Sequence, residues 1–290
     1  MKRAAPHGYR VQHVWHANLS GGRVRDIVAS SVGPRMTIPG DLPARSMDLR
    51  VLSQDRRTHR WSVTFDAQRV VPAATEPTAM LDPHADVSLG PVRFVHILSR
   101  DREQLVFSAS NNYYGSGIPM WLAVLDLESG QAKLVYSWSG QILRGWHVAH
   151  GHIYARAAYW TENEPHCCPL RLYRFTIAPR HGALVEVSDD RPRLGVKVRS
   201  WNRPLKVIEI DRNSPALGHL RVGDVLLKVL NAPRLPHGKQ PWTGLFDRIG
   251  LFHPGQIVQL LVERNGKKIR IHVKLGSEMD APVDSSKFDL

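Results

Sequence analysis

The sequence holds only two cysteines in 290 residues. That excludes a disulfide-stapled scaffold and any four-cysteine zinc site. It lacks any run approaching 18 consecutive apolar residues, so no segment reads as a membrane-spanning helix. The start, Met1-Lys2-Arg3-Ala4-Ala5-Pro6-His7-Gly8, is basic with no apolar core behind it, and no export signal is read there. Acidic residues are scarce, with 26 Asp and Glu against 39 Lys and Arg, a net charge of +13. What is present is a composition that folds: 42% apolar and 22% charged residues can bury a sizeable core, which excludes disordered and collagen-like chains. The length suits two domains or three.

The charge is unevenly placed. Residues 191–276 carry 17 basic against 5 acidic groups, residues 1–190 carry 21 against 17, and residues 277–290 carry one against four. The basic character therefore belongs to the C-terminal third, ahead of an acidic, flexible tail. A field of that sign attracts acidic peptides, anionic surfaces or nucleic acid, and does not choose among them.

Residues 1–190 read as an all-β domain. Arg60 to Phe65, Gln104 to Ala109, Trp121 to Leu125 and Leu172 to Ile177 combine β-branched and aromatic residues with approximate alternation. Turn signals separate them: Ser20-Gly21-Gly22, Asn111-Asn112, Gly115-Ser116-Gly117, Ser129-Gly130 and Ser139-Gly140. This pattern fits a sandwich, a barrel or a propeller-like fragment. A boundary is expected at Ser188-Asp189-Asp190-Arg191-Pro192, after which residues 191–276 read as a mixed α+β domain. Strands are expected over Lys206 to Ile210, Val225 to Leu230, Gln256 to Glu263 and Lys268 to Leu275. The last two are joined by Asn265-Gly266, a pair suited to a type I′ hairpin. Between the second and third of these strands Leu245, Ile249 and Phe252 recur at helical spacing, with Thr243 as N-cap and His253-Pro254-Gly255 as the stop.

Arg193-Leu194-Gly195-Val196, Asn213-Ser214-Pro215-Ala216, Leu220-Arg221-Val222-Gly223-Asp224-Val225-Leu226-Leu227, Pro254-Gly255 and Val262-Glu263-Arg264-Asn265-Gly266-Lys267 occur in that order. With these motifs, residues 193–276 resemble a PDZ domain of the bacterial Deg/HtrA type. The resemblance implies capture of a peptide as an added strand at a sheet edge beside a helix. It assigns the anion-holding loop to Leu194, Gly195 and Val196, and the pairing edge to Lys197 and Val198. The exposed helix face would present Gly244, Arg248 and Leu251, with Leu245 and Ile249 turned to the core. A competing reading makes Leu194 and Val196 core residues of a decayed module. The link Leu230 to Trp242 is longer and richer in proline than the family pattern, and reads as a solvated surface loop.

Domains of this type often follow a serine protease, but Asn18-Leu19-Ser20-Gly21-Gly22 sits at the wrong end of the chain to be the nucleophile segment. No other G-x-S-x-G or Ser-x-x-Lys pattern is present. No catalytic residue is assigned, and the protein reads as a non-enzyme. Ala17 to Val28 resembles instead the calcium-binding turn of FG-GAP or VCBS-type repeats, with a weaker copy at Ile97 to Val106. Asn18, Ser20 and Gly22 stand where that family has carboxylates, so a structural turn is the preferred reading over a calcium site. Tyr159 to Pro169, ending in Cys167-Cys168-Pro169, is similar to secreted or lipoprotein β-domains of the same group. Cys167 and Cys168 admit three states: a vicinal disulfide, two free thiols, or the start of a metal site with His166. No metal or cofactor is assigned.

The expected function is thus protein interaction. The partners are peptides or protein C-termini with acidic residues upstream of an apolar last residue. The alternative is a scaffold or regulatory subunit whose groove is filled by its own or a neighbour's tail, ending Lys287-Phe288-Asp289-Leu290. Nucleic acid is disfavoured, because no zinc finger, helix-turn-helix or glycine-rich phosphate loop accompanies the charge. The resembled domain types imply a place in the cell envelope or outside the cell, while the visible start lacks an export signal; the compartment stays open.

Overall fold

The computed structural model describes residues 4–36, 44–55, 57–67, 87–111, 119–128, 131–141, 143–159, 171–199, 205–233, 244–277 and 279. The protein is nearly all β, in several antiparallel sheets. Three successive four-stranded sheets come first. β1 (Arg10–Ala17), β2 (Asp26–Met36), β3 (Ala44–Gln54) and β4 (Trp61–Asp66) pair in chain order, each with the next. β5 (Val87–Val95), β6 (Gln104–Asn111), β7 (Pro119–Glu128) and β8 (Gln131–Gln141) repeat that arrangement. β9 (Leu143–Ala149), β10 (His152–Tyr159), β11 (Arg171–Arg180) and β12 (Ala183–Asp189) form the third sheet, in the order β12-β11-β10-β9.

Alternation explains the core. In β6 Leu105, Phe107 and Ala109 turn one way and join Leu19, Val28, Leu49, Val51, Phe65, Ala123 and Leu125 in one buried cluster drawn from the first two sheets. Burying side chains of that size contributes roughly 1.5–3 kcal/mol each. Ser139-Gly140, expected as a turn, lies inside β8, where Met120 pairs with Gly140 and Trp121 with Ser139. The physical reason is packing: a Cβ on Gly140 would sit 2.6 Å from the Trp138 ring, so glycine there makes room for an aromatic side chain rather than for a bend.

By contact density the chain divides into two compact units. One holds Met1–Ala155 with Ile177–Val185, the other Arg156–Thr176 with Glu186–Leu290. In the second, β13 (Pro192–Arg193) pairs with β19 (Gly276–Ser277). A five-stranded sheet follows the order β14 (Val196–Arg199), β15 (Leu205–Ile210), β16 (Val225–Val229), β17 (Ile257–Arg264) and β18 (Lys267–Lys274). All its neighbours run antiparallel. Asn265 and Gly266 both take positive φ, 51° and 74°, and set the register of the β17–β18 hairpin.

The expected α+β character of residues 191–276 shrinks to one short helix, α1 (Leu245–Ile249). Expected from Thr243 to Phe252, it starts at Gly244 as N-cap, and beyond Gly250 the chain continues only as tight turns. Thr243 itself lies outside the described residues. Leu245 and Ile249 do face the core, together with Val207, Leu220, Val258, Leu260, Val262 and Val273.

Candidate functional site

The residues assigned to peptide capture begin at a loop held from three directions. Leu194 is buried, and its carbonyl accepts the Ala216 N–H at 3.1 Å. The Gly195 carbonyl accepts the Asp211 N–H at 3.1 Å. Asp211 in turn takes the buried Arg193 guanidinium at 2.6 Å, tying the residue before the loop to the turn opposite. Gly195 has φ of +75°, and a Cβ there would stand 2.1 Å from the Ser214 Cβ. Both facts demand glycine. The Ser214 hydroxyl is buried and accepts or donates no hydrogen bond.

β14 follows at once. It lies at the end of the sheet order and, among the described residues, pairs only with β15. Val196 and Val198 are half-buried and pack against the core that contains Leu194, Leu245 and Ile249, so the structure gathers these five around one apolar centre. Lys197 and Arg199 point the other way and are exposed. The Lys197 ammonium meets the Glu209 carboxylate across the strands at 3.0 Å. Both partners are largely solvated, so that pair adds a few tenths of a kcal/mol up to about 1.

On α1, Gly244 and Arg248 are half-buried, as is Leu251 just beyond it. Phe246, which sequence spacing did not single out, packs against the core. Asp247 is buried; its carboxylate accepts the Gly244 N–H and holds the first turn, leaving Oδ1 without a partner. Burial pushes the Asp247 carboxyl above the usual range, and the Gly244 hydrogen bond offsets part of that rise. At the far end of the loop region Asp224 is also buried. Its burial cost is outweighed by the Arg264 guanidinium, bonded at 2.7 and 2.8 Å, and by the Arg221 N–H, which leave its carboxyl below the ordinary value.

Sequence reasoning found the loop and the edge strand. It did not foresee the pairing of Arg193, two residues before Gly195, with Asp211, nor the Ser214 wall; Asp211 and Ser214 lie 16 and 19 residues after Gly195, in the turn whose Asn213-Ser214-Pro215-Ala216 motif is quoted above. β13 and β19 place the chain after Gly276 alongside Pro192 and Arg193, immediately before the loop.

The other candidates separate from this site. Ser20 sits in the β1–β2 turn with its N–H donating to Asp26 at 2.7 Å. The two segments quoted as repeat copies meet. The Asn18 N–H donates to Glu103 Oε2 at 2.7 Å, the Glu103 N–H donates to the Asn18 carbonyl at 2.8 Å, and the Asn18 side-chain amide reaches the Asp101 carbonyl at 3.0 Å. These bonds hold turn to turn, while the Asn18 side-chain carbonyl is buried and takes no hydrogen bond among the described residues. Among the described residues no cluster of three or more His, Cys, Asp or Glu side chains could hold a metal ion. Cys167, Cys168, His166 and most of the link to α1 lie outside the described residues. No described helix is long and apolar enough to cross a membrane.

No family model matches the chain, and no curated protein does; the FG-GAP and VCBS resemblance finds no support. Among solved structures the chain is similar to the HtrA-type protease AlgW with a decapeptide, at 14% identity and a TM-score of 0.26 over 96% of this chain and 81% of that one. It is also similar to the serine endoprotease from Yersinia pestis, at 15% identity and a TM-score of 0.24 over 95% and 96%. Overlaps of that size carry no weight for fold or function, and no family is assigned on them.

Proposed function

We propose that residues 191–277 are a peptide-capture module in which an extended segment pairs with the open side of β14 and ends at the Gly195 loop. The observation that carries this is the coincidence of a one-sided edge strand with a loop that admits only glycine and is clamped by Arg193–Asp211. Backbone pairing supplies affinity in such a mode, and the half-buried Val196 and Val198 leave an apolar footing for alternate ligand side chains. The surplus of Lys and Arg in this region favours acidic residues upstream of an apolar end. The consecutive four-stranded sheets before it have the strand number of propeller blades. In this reading the module has no chemistry of its own, and Ser20, in the segment that resembles a nucleophile turn, lies outside it in the β1–β2 turn, where its backbone N–H donates to Asp26.

The test is a titration of labelled peptides with apolar last residues against the full chain. Free-carboxylate peptides should bind at least tenfold more tightly than amidated ones, and N-methylation at alternate peptide bonds should abolish binding. Equal binding by both peptide forms, or turnover of the peptide that Ser20→Ala removes, would overturn the reading. A second reading rests on the β13–β19 pair: a segment leaving Ser277 starts beside the loop and could lie along β14 as a tethered strand. Binding that appears only after truncation behind Gly276 would select it.

A further inference from the structure

The five-stranded sheet has a second face, turned away from its apolar core, and the strand registers show what that face carries. In β18 Ile271 and Val273 are buried, while the alternating Lys268, Arg270, His272 and Lys274 are all exposed. Reading across the ladders, Lys268 stands opposite Glu263, Glu263 opposite Val225, Val225 opposite Lys206, and Lys206 opposite Arg199. One row thus crosses all five strands with a cation at each end and another, Lys206, beside Arg199. The next row places Arg270 opposite Leu261 and Leu261 opposite Lys228. Same-face neighbours along a strand are about 7 Å apart and adjacent strands about 4.8 Å. Those spacings are inside the roughly 8 Å screening length of physiological salt, so the charges act together.

Aliphatic side chains stand among these cations in the open. Leu227 is the extra residue of the bulge between Leu226 and Lys228 and is 37% exposed; Ile257, opposite Lys274, is 54% exposed. Among the described residues of this face none is Phe, Tyr or Trp, and His272 is the one ring. A single-stranded nucleic acid would want stacking platforms there. A surface that mixes Lys and Arg with exposed Leu and Ile matches the boundary of an anionic bilayer, where cations meet phosphates and short aliphatic chains enter the acyl margin. We propose that the outer face of this sheet docks on an anionic phospholipid bilayer, with Lys268, Arg270, Lys228 and Lys206 on the headgroups and Leu227 and Ile257 in the interface. The six residues named lie on β15 to β18; β14 adds only Arg199 at the end of the row.

Sedimentation of the full chain with vesicles tests it. Vesicles of phosphatidylcholine with 30% phosphatidylglycerol should carry the protein down at 50 mM salt, and pure phosphatidylcholine vesicles should not. The double variant Lys268→Glu with Arg270→Glu should weaken the partition more than tenfold. Leu227→Ser with Ile257→Ser should weaken it severalfold and leave the remainder more salt-sensitive. Melting curves equal to the parent protein's establish that each variant folds. Equal partition onto neutral vesicles, indifference to the charge reversals, or failure to sediment with either vesicle would overturn the proposal. So would a 20-base-pair duplex that binds the protein more tightly than the anionic vesicles and displaces it from them.

Discussion

The N-terminal sheets and the C-terminal module handle charge in opposite directions. The first two sheets carry ionisable groups inward. Asp126, buried between β6 and β8, takes Arg102 Nε and Nη2 at 2.9 and 2.6 Å and the Gln104 amide at 3.0 Å. Gln104, fully buried, spends its carbonyl on the Ile97 and Leu98 N–H groups, so one network pins the whole β5–β6 turn. The module instead turns most of its cations to solvent, keeps few ionisable groups inside, Arg193, Asp224 and Asp247 among them, and fixes its critical loop through glycine, backbone hydrogen bonds and the single Arg193–Asp211 pair. Where charge is spent internally it builds structure; where it is left outside it remains for partners.

Within the N-terminal sheets the contrast repeats at smaller scale. Burial raises the Asp126 carboxyl, but the Arg102 and Gln104 hydrogen bonds outweigh it and leave the pKa lowered. Asp48, more deeply buried, lies beside Arg50 Nε at 3.0 Å without a well-aligned hydrogen bond to either oxygen. Burial and the neighbouring Asp66 carboxylate push it up to about 6, against the pull of Arg50. One carboxylate thus stabilises the fold in its ionised form, and the other opposes it.

The largest test of the contrast is Arg102→Ala. It leaves Asp126 buried and unpaired, and should cost about 3 kcal/mol or more in urea unfolding; a loss under 1 kcal/mol would mean the network is not what holds the turn. Next is Gly195→Ala, expected to destabilise the protein by at least about 2 kcal/mol, because it adds positive-φ strain to a Cβ overlap. Ser214→Gly in the same chain should recover part of that loss; strict additivity of the two changes would show that the wall is not where the overlap occurs. Asp48→Asn should act in the other direction. A carboxyl raised from 3.8 to about 6 in the fold favours the native state below pH 4 and loses that advantage as pH climbs to 6, with the penalty constant above. The variant should therefore be more stable than the parent at pH 7, by about 2 kcal/mol, and nearly equal to it at pH 4. A smaller gain at pH 7 than at pH 4 would reverse the sign argued here. Smallest is Lys197→Ala: the exposed Glu209 pair should be worth under about 0.5 kcal/mol by thermal melting, which separates surface charge from the buried networks.

Much of this was legible in the chain, for reasons that are local. Alternation located β6, β7, β11, β15, β17 and β18, because a half-buried sheet imposes a period of two on neighbouring residues. Asn265-Gly266 marked its hairpin because both residues tolerate positive φ. His150-Gly151 and His181-Gly182 form the same kind of turn, with His150 at φ 50° and His181 at φ 49°. They escaped notice because histidine is an infrequent occupant of that conformation. The helix was expected too long, since apolar spacing at Leu245, Ile249 and Phe252 marks a face and not an end. At the candidate site, the resemblance pointed to Leu194 through Val198. The Arg193–Asp211 clamp and the Gly195–Ser214 contact were invisible, because they are made by residues far apart in sequence and by no repeated pattern.

The short β13–β19 ladder sets Pro192 directly across from Ser277. Entry and exit strands of the module therefore stand one ladder spacing apart, about 5 Å. Ends that close together can be joined by a few residues without stretching the chain, which is the geometry that circular permutation requires.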